Sequence, residues 1–240
     1  MKHGLLTAMT WNIHGGLGPD GRHDLARILA LVRRADPDIL ALQEVDSRPL
    51  RGGEHPLALF KRALGHHGIA AATITTPDGD YGQVLLSRWP VSKTEVHDIS
   101  VPGREPRRAI AAVVNAPAGK LFVVAAHLGL AFAERRRQCR QMAKLSHQSQ
   151  LTTVMLGDFN DWLWPGSVQK VLARAFPGRT HHRTFPAWLP LFKLDRIYCR
   201  PARALVRSRI DPDGRTVSDH LPVIAEIDLA PSDLQRAGSQ

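Results

Sequence analysis

The sequence predicts a four-layer α/β sandwich, in which two mixed β-sheets pack face to face and are flanked by helices. The first observation is the opening order of strand, helix and strand, which is typical of an α/β layer. Residues 5–12 and 38–45 are apolar runs of the kind found in buried strands. Between them, Leu25, Ile28 and Val32 recur at the spacing of one helix face. The chain therefore begins with a strand-helix-strand unit.

The second observation is a series of strand-like segments, several of them joined by short turns that are typical of antiparallel neighbours. The further predicted strands are residues 69–75, 83–87, 91–99, 108–115, 121–127, 152–157, 194–199, 204–210 and 222–229. Two more helices are predicted at residues 134–147 and around residues 167–175. Together these segments supply the two mixed sheets and the helices that cover them.

We expect a single domain over residues 1–230 and a flexible tail over residues 231–240. The chain has 240 residues, of which 43% are hydrophobic, and can therefore bury a sizeable core. The first residues contain neither a secretory apolar region nor a membrane span, so a cytoplasmic, monomeric protein is expected. Cys139 and Cys199 are too few for a disulfide scaffold and are expected to pack as quiet thiols.

The formal net charge of +10 is the one compositional feature that points to a partner. A basic surface attracts polyanions, which include both nucleic acid and the anionic face of a membrane. Composition alone does not choose between them, and an arginine-rich protein can also carry much of this charge on solvated faces.

Polar side chains of catalytic type stand at or just after the ends of several apolar runs. They are Asn12, Glu44, His127, Asp158, Asn160, Asp195, Asp219 and His220. Strand ends from distant parts of a chain can converge on one cleft of a rigid sheet. The pattern therefore predicts a single active site built from most of the chain length.

Three of these residues offer oxygen ligands for a hard cation. Glu44, Asn12 and Asp219 suit Mg²⁺ or Mn²⁺ much better than the histidine and cysteine sets that hold zinc. A hard cation indicates phosphate chemistry, because phosphoryl transfer concentrates negative charge on the non-bridging oxygens. We therefore expect Mg²⁺ or Mn²⁺ as cofactor and a phosphodiester as substrate.

The remaining residues complete such a site. Asn160, His127 and His220 are donors that stabilise a negatively charged phosphoryl group. Asp158 is placed to orient the attacking water. Asp195 is suited to hold a histidine in one tautomer, and His220 is its natural partner.

Six short motifs occur in order across nearly the whole chain. They are TWNIHG at residues 10–15, LQEV at 42–45, AHL at 126–128, GDFND at 157–161, LDRI at 194–197 and SDHLP at 218–222. Together they resemble the endonuclease/exonuclease/phosphatase superfamily, which includes pancreatic-type DNases, abasic-site endonucleases, neutral sphingomyelinases and inositol polyphosphate 5-phosphatases. GDFND and SDHLP are the most specific of the six.

The resemblance implies a role for each matching position. Glu44 would be the principal metal ligand with Asn12 beside it, and Asp219 would be a ligand or a carboxylate just behind the metal. His127 would contact the phosphate. Arg108 resembles the arginine that often opens a strand near the cleft in this family.

The resemblance also implies the acid-base groups. His220 would contact the scissile phosphate or act as acid and base, paired with Asp195. Asp158 and Asn160 would position the nucleophilic water and a phosphate oxygen.

Departures from family patterns bear on the substrate. Abasic-site endonucleases usually have a tyrosine where this chain has His127, and the signature motifs of inositide phosphatases are broken or absent. A nuclease is the favoured interpretation, and a phospholipid headgroup phosphodiesterase is the alternative from the same class of enzyme. A catalytically inactive nucleic-acid-binding module is the alternative from another class.

Two further features bear on that choice. A helix that carries Arg135, Arg136, Arg137, Arg140 and Lys144 is either a polyanion site or a solvated face. Aromatic and apolar residues in loops beside the catalytic motifs could stack on bases or enter a lipid interface; they are Trp162, Trp164, Trp188 and Leu189. The histidine pairs at 66–67 and 181–182 are expected on the surface, because neighbours on a strand point to opposite faces.

Overall fold

The computed structural model describes residues 4–50, 54–162 and 166–229, so the expected tail at 231–240 lies outside the described residues. The strands are β1 (Leu5–Asn12), β2 (Ile39–Asp46), β3 (His67–Thr76), β4 (Gly79–Ser87), β5 (Val91–Asp98), β6 (Arg108–Ala116), β7 (Gly119–His127), β8 (Thr152–Asp158), β9 (Gly178–Arg179), β10 (Asp195–Arg200), β11 (Leu205–Ile210) and β12 (Val223–Asp228). The helices are α1 (Leu25–Ala35), α2 (Pro56–Leu64), α3 (Phe132–His147) and α4 (Ser167–Leu172). Short 3₁₀ turns lie at His14–Gly16, Arg48–Leu50, Ala202–Ala204 and Pro212–Thr216.

The strands form two six-stranded mixed sheets, which confirms the predicted sandwich. The first sheet has the order β11-β12-β1-β2-β4-β3, and the second has the order β5-β6-β7-β8-β10-β9. Within each sheet one central pair is parallel, β1 with β2 and β7 with β8, and the other pairs are antiparallel.

The two sheets pack on each other through a core of small and β-branched side chains. Ala8 and Ala41 of the first sheet belong to the same buried cluster as Ala112, Ala125 and Val123 of the second. Alanine at these inward positions allows the sheets to approach closely, and the valine and isoleucine side chains fill the remaining space.

A helical layer covers the outer face of each sheet. Trp11 and Leu42 of the first sheet pack with Ile28 of α1 and Phe60 of α2. On the second sheet, Met155 and Tyr198 of β8 and β10 belong to a cluster with Cys139 and Met142 of α3 and with Val168 and Leu172 of α4. Four layers result, as the periodicity predicted.

Several boundaries differ from the predictions. Helix α2 was not predicted, although Pro56 starts it and Gly65 ends it in the left-handed conformation. Helix α4 ends at Leu172, short of the predicted residue 175. Strand β4 begins at Gly79 rather than at residue 83, because the half-buried start of this hairpin carries no apolar run.

Two predictions about charged or polar surfaces were wrong. His66 is buried, and its ring nitrogens lie 2.7 Å from the Leu64 carbonyl and 3.0 Å from the Pro37 carbonyl. Arg135 is also buried, and its guanidinium donates to the Leu130 carbonyl, so only part of the basic stretch on α3 faces solvent. In both cases the side chain stays buried because backbone carbonyls supply its hydrogen bonds.

Candidate active site

The carboxyl ends of β1, β2, β7 and β8 meet at one edge of the sandwich. Asn12, His127 and Asp158 are the last residues of β1, β7 and β8, and Glu44 lies two residues before the end of β2. Asp195 begins β10 directly opposite Asp158 in the antiparallel register. The topology thus places five predicted site residues at the same edge.

The loop before β12 is tied to this edge from two sides. Trp11 Nε1 donates to the His220 carbonyl at 2.9 Å. Ser218 Oγ donates to the Asn12 carbonyl at 2.8 Å and accepts from the His220 amide at 3.1 Å. Trp11 and Ser218 therefore fix His220 against β1; both lie inside quoted motifs, but the sequence does not reveal this positioning role.

Asn12 links the two sheets across the cleft. Its amide nitrogen donates to Glu44 Oε1 at 2.8 Å and to Asp158 Oδ2 at 3.0 Å, while its oxygen accepts from the His14 amide at 3.0 Å. One neutral amide thereby holds two carboxylates in fixed positions. In this arrangement Asn12 positions Glu44 directly, and its predicted part in binding a metal stays a prediction.

The GDFND segment forms a tight turn at the end of β8. Gly157 has φ of 152°, and a Cβ there would lie 1.8 Å from the Ala126 carbonyl oxygen on β7, so only glycine allows this approach. Asp158 Oδ1 accepts from the Asn160 amide at 2.9 Å. Asp161 lies behind the site. Its carboxylate accepts from the amides of Val168 and Gln169, at the start of α4, at 3.5 and 3.4 Å.

His220 and Asp195 form a buried pair. His220 Nδ1 lies 2.8 Å from Asp195 Oδ2, and His220 Nε2 lies 3.9 Å from Asp158 Oδ2. Burial opposes protonation, but the charge and hydrogen bond of Asp195 outweigh it and raise the pKa of His220 to about 10. The ring is therefore an imidazolium at neutral pH, with Nδ1–H on Asp195 and Nε2–H directed toward the cleft.

His127 has the opposite protonation state. Burial, followed by the positive charge of Arg107, lowers the pKa of His127 to about 4, so the ring is neutral at pH 7. Arg107 Nη1, which can only donate, lies 3.4 Å from Nδ1. His127 Nε2 faces Asp158 Oδ2 at 3.6 Å and also lies 3.3 Å from the amide nitrogen of Asn160.

Arg107 is a site residue that the sequence interpretation missed. It is 4% exposed, it pairs with Glu105 at 3.0 Å, and it precedes the predicted Arg108 by one residue. Arg108 opens β6, is half-buried and lines the same small cavity beside His127. Arg107 makes the polar contact with His127, while the phosphate role of Arg108 stays a prediction.

The other side of the cleft is more open and contains a second residue that was not predicted. His14 Nδ1 lies 3.6 Å from Glu44 Oε2 and 3.7 Å from Asp219 Oδ1. Glu44 and Asp219 both raise the pKa of His14. Burial opposes ionisation of Glu44, but the nearby His14 ring and the Asn12 amide outweigh it and lower the pKa of Glu44 to about 2.

Backbone strain also concentrates at this edge. His14, Glu44 and Asn160 have φ of 48°, 53° and 49°, a conformation that residues other than glycine rarely adopt. Such strained positions persist where the surrounding structure fixes them, and they cluster at functional sites. The backbone conformation is an observation separate from the side-chain chemistry, and it indicates the same edge of the sandwich as the site of function.

The open side offers the donor chemistry of a hard-metal site. Glu44 and Asp219 supply carboxylates, and Asp219 Oδ1 is buried without a hydrogen-bond partner among the described residues. An unsatisfied carboxylate oxygen beside a second carboxylate suits Mg²⁺ or Mn²⁺. On the buried side, Asp158, Asp195 and His220 place ligand-type atoms within 4.8 Å of one another, but the hydrogen bond to Asp195 already uses His220 Nδ1.

The loop from Phe185 to Phe192 forms one wall of the site. The Phe185 ring lies 4.8 Å from the His220 ring, and the Ala187 amide donates to the Asp219 carbonyl at 2.7 Å. Trp162 packs edge-on against both Phe185 and Phe192, with centroids 5.2 Å apart, so it supports this loop from below. Trp188 is exposed, whereas Trp164 lies outside the described residues.

Comparison with known proteins identifies the family. Residues 9–220 match the model of the endonuclease/exonuclease/phosphatase family. The match covers most of the chain, which therefore belongs to this family of hydrolases. The protein YbhP of Escherichia coli (strain K12) is 33% identical in an alignment 248 positions long, which covers 92% of this chain and 95% of YbhP.

Solved structures share the fold. An endonuclease/exonuclease/phosphatase from Beutenbergia cavernae DSM 12333 has a TM-score of 0.75 at 22% identity, covering 95% of this chain and 72% of that chain. The human Nocturnin catalytic domain with bound sulfate anion has a TM-score of 0.71 at 18% identity, covering 96% of this chain and 95% of that domain. At these identities the similarity concerns the fold. Among the described residues, no helix has the length and apolarity needed to cross a membrane.

Proposed function

We propose that this protein is a divalent-metal-dependent phosphodiester hydrolase that directs water in line at the phosphorus atom. The observation that carries the proposal is a continuous set of polar contacts across the cleft. It runs from Asp195 through His220 and Asp158 to Asn12 and Glu44. This set connects the buried pair of His220 and Asp195 to Glu44, a carboxylate of metal-ligand type, at one edge of the sandwich.

Glu44, Asp219 and the neighbouring Asn12 would hold Mg²⁺ or Mn²⁺. When bound, the cation supplies positive charge beside a non-bridging oxygen of the phosphodiester. Members of the family typically use divalent metals, and the unsatisfied oxygen of Asp219 supports the chemistry of a cation beside it.

The buried residues then act on the phosphoryl group and on water. Asp158 orients the attacking water and accepts its proton, because its carboxylate is already fixed by Asn12 and by the Asn160 amide. The imidazolium of His220 donates from Nε2 to the phosphoryl group, and Asp195 keeps Nδ1 protonated. As the water oxygen bonds to phosphorus, the opposite P–O ester bond breaks, and the departing alkoxide takes a proton from solvent. Neutral His127 and the Asn160 amide add donors without adding charge.

For the substrate we favour nucleic acid, because a formal charge of +10 suits a phosphate backbone. A phospholipid headgroup diester is the second candidate, and the exposed apolar residues in the loops beside the site favour it. An inactive binding module is the third. Every position at which the family carries a catalytic group still has a competent residue, which argues against it.

A turnover panel with added Mg²⁺ tests the proposal. Single- and double-stranded DNA, RNA, anionic phospholipid and soluble bis(p-nitrophenyl) phosphate are compared, with Glu44→Ala as the control. We expect hydrolysis that stops with EDTA and returns with Mg²⁺ or Mn²⁺ more than with Ca²⁺. Hydrolysis by Glu44→Ala at the wild-type rate, or an absence of turnover on every substrate, would contradict the proposal.

A further inference from the structure

Large apolar side chains are exposed on two segments that border the candidate active site: the loop after β7 with the first residue of α3, and the loop before β10. We name this set the apolar rim: Leu130, Phe132, Trp188, Leu189 and Leu191. Trp188 is 77% exposed, Leu130 64% and Leu191 51%. The described part of the chain has only two other large hydrophobic side chains with comparable exposure, Val96 and Val206. Most of the exposed apolar surface of this kind is thus concentrated beside one cleft.

The two loops lie on either side of the same catalytic segment. The Leu128 amide donates to the Asp158 carbonyl, and the Leu128 carbonyl accepts from the Asn160 side chain at 2.9 Å. On the other side, Trp162 packs against Phe185 and Phe192, which flank the second loop. Both parts of the rim are therefore placed at the mouth of the cleft that contains Asp158.

The rim is held by a rigid base. The buried Arg135 guanidinium donates to the Leu130 carbonyl. In the second loop, the amides of Leu191 and Phe192 donate to the Phe185 carbonyl at 2.9 and 2.8 Å. These hydrogen bonds fix the backbone from which the apolar side chains project, so the exposure of those side chains follows from the conformation of the loop.

Basic residues accompany the rim. The two segments that carry the rim are residues 128–137, which include the start of α3, and residues 181–193; they contain five Arg or Lys residues and one acidic residue, the buried Glu134. The basic residues are Arg135, Arg136, Arg137, Arg183 and Lys193, of which Arg136, Arg137 and Arg183 are exposed. The surroundings of the apolar tip are therefore positively charged and attract an anionic surface.

The chemistry of the rim favours lipid over nucleic acid. Bases stack on aromatic rings and guanidinium planes, but three of the five rim residues are leucines, which offer no such platform. Leucine and tryptophan at the tip of a basic loop are suited to the boundary between headgroups and acyl chains. We infer that the apolar rim docks this protein on an anionic phospholipid surface, with Trp188, Leu189 and Leu191 entering the interface.

Docking would bring the cleft face to face with phosphodiester headgroups. The inference rests on the proposed function for the chemistry inside the cleft, whereas docking itself can be measured without turnover. The two can therefore fail separately. His220→Ala protein is expected to bind vesicles like the wild type, and a soluble phosphodiester reports on hydrolysis alone.

Co-sedimentation with unilamellar vesicles tests docking. We expect the wild-type protein to bind vesicles of equimolar phosphatidylcholine and phosphatidylglycerol, and to bind pure phosphatidylcholine vesicles much less. Trp188→Ser and Leu191→Ser should each lower binding to the anionic vesicles about tenfold, since each removes one inserted apolar side chain. Val206→Ser is the matched control: Val206 is exposed on the edge strand β11, outside both segments of the rim, and the variant should bind like the wild type.

Fluorescence provides a second measurement on intact protein. Brominated lipids should quench the wild-type emission, and the quenched component should disappear in Trp188→Phe. The inference is overturned if the wild type does not bind the anionic vesicles, or if the rim variants bind them as tightly as Val206→Ser does. It is also overturned if the rim variants keep vesicle binding but lose binding to a single-stranded oligonucleotide, because the rim would then be a nucleic-acid surface.

Discussion

The two sides of the cleft differ in how deeply their side chains are buried and in how far hydrogen bonds within the protein fix them. On the side built by the second sheet and the loop before β12, the side chains of Asp158, Asp195 and His220 are 1%, 0% and 7% exposed and contact one another. On the other side, Glu44 is 23% exposed and Asp219 42%. The buried side is fixed by its own hydrogen bonds. The open side consists of two carboxylates that both face the His14 ring, and Asp219 Oδ1 has no hydrogen-bond partner among the described residues.

The largest expected effect is a loss of activity on substitution at either side of the cleft, with a loss of metal binding at the open side only. Glu44→Ala and His220→Ala should each lower kcat/KM about 10⁴-fold, because both groups are proposed to act on the transition state. Only Glu44→Ala should also lose Mn²⁺ binding, as measured by calorimetry or electron paramagnetic resonance. Equal loss of Mn²⁺ binding in His220→Ala would show that the cation belongs to the buried side, and the comparison would reverse.

Stability should follow burial. Asp195→Ala leaves the His220 imidazolium buried without its partner, and breaking a buried pair in this way costs about 3–5 kcal/mol of unfolding free energy. Asp219→Ala removes a half-exposed carboxylate, and we expect a change within about 0.5 kcal/mol. Urea unfolding in EDTA measures both variants under the same conditions. Similar losses in the two variants would contradict the contrast drawn between the two sides.

The two buried histidines should make stability depend on pH in opposite directions. The pKa of His127 is about 4 in the folded protein and about 6.5 when unfolded, so its contribution is full above pH 6.5 and is lost as the pH falls toward 4. The pKa of His220 is about 10, so its contribution is full below pH 6.5 and is lost as the pH rises toward 10.

Substitution of each histidine separates the loss of stability at low pH, the acid limb, from the loss of stability at high pH, the alkaline limb. In urea unfolding across pH 4–10 without metal, His127→Asn should flatten the acid limb and leave the alkaline limb. His220→Asn should do the reverse. The acid limb should amount to at most about 3 kcal/mol and the alkaline limb to at most about 5 kcal/mol, because the pKa of His127 falls from 6.5 to about 4 and that of His220 rises from 6.5 to about 10. An unchanged acid limb in His127→Asn would remove the basis for a neutral His127.

The smallest expected effect concerns Arg107. Arg107→Met removes the donor to His127 Nδ1 and should lower kcat about tenfold, while KM changes little, because Arg107 acts through His127. The acid side of the pH-rate profile should move as well. Arg107→Lys restores a cation and should recover part of the rate. If Arg107→Met raises KM and leaves the pH profile unchanged, Arg107 binds substrate directly.

The comparison also explains what could be predicted from the sequence. The eight strand-end residues were predicted because each follows an apolar run, and the structure brings all eight to one edge. His14 was missed because its position depends on its own left-handed backbone conformation, which the glycines that follow it do not predict. Arg107 was missed because it lies just before β6, next to a second arginine, and the sequence does not show which of the two faces His127. Helix α2 was missed because its nine residues show too few turns of periodicity.

The pairing of β1 with β12 has a consequence for when the enzyme becomes competent. Leu5 pairs with Asp228, and His220 is held by Trp11 and Ser218 just before this last strand. A chain leaving the ribosome therefore carries Glu44 and Asp158 long before it carries the histidine that completes the buried side. Contacts of such high sequence separation form late in folding. The proposed catalytic site is thus complete only after the segment that leads into the final strand of the first sheet has been made.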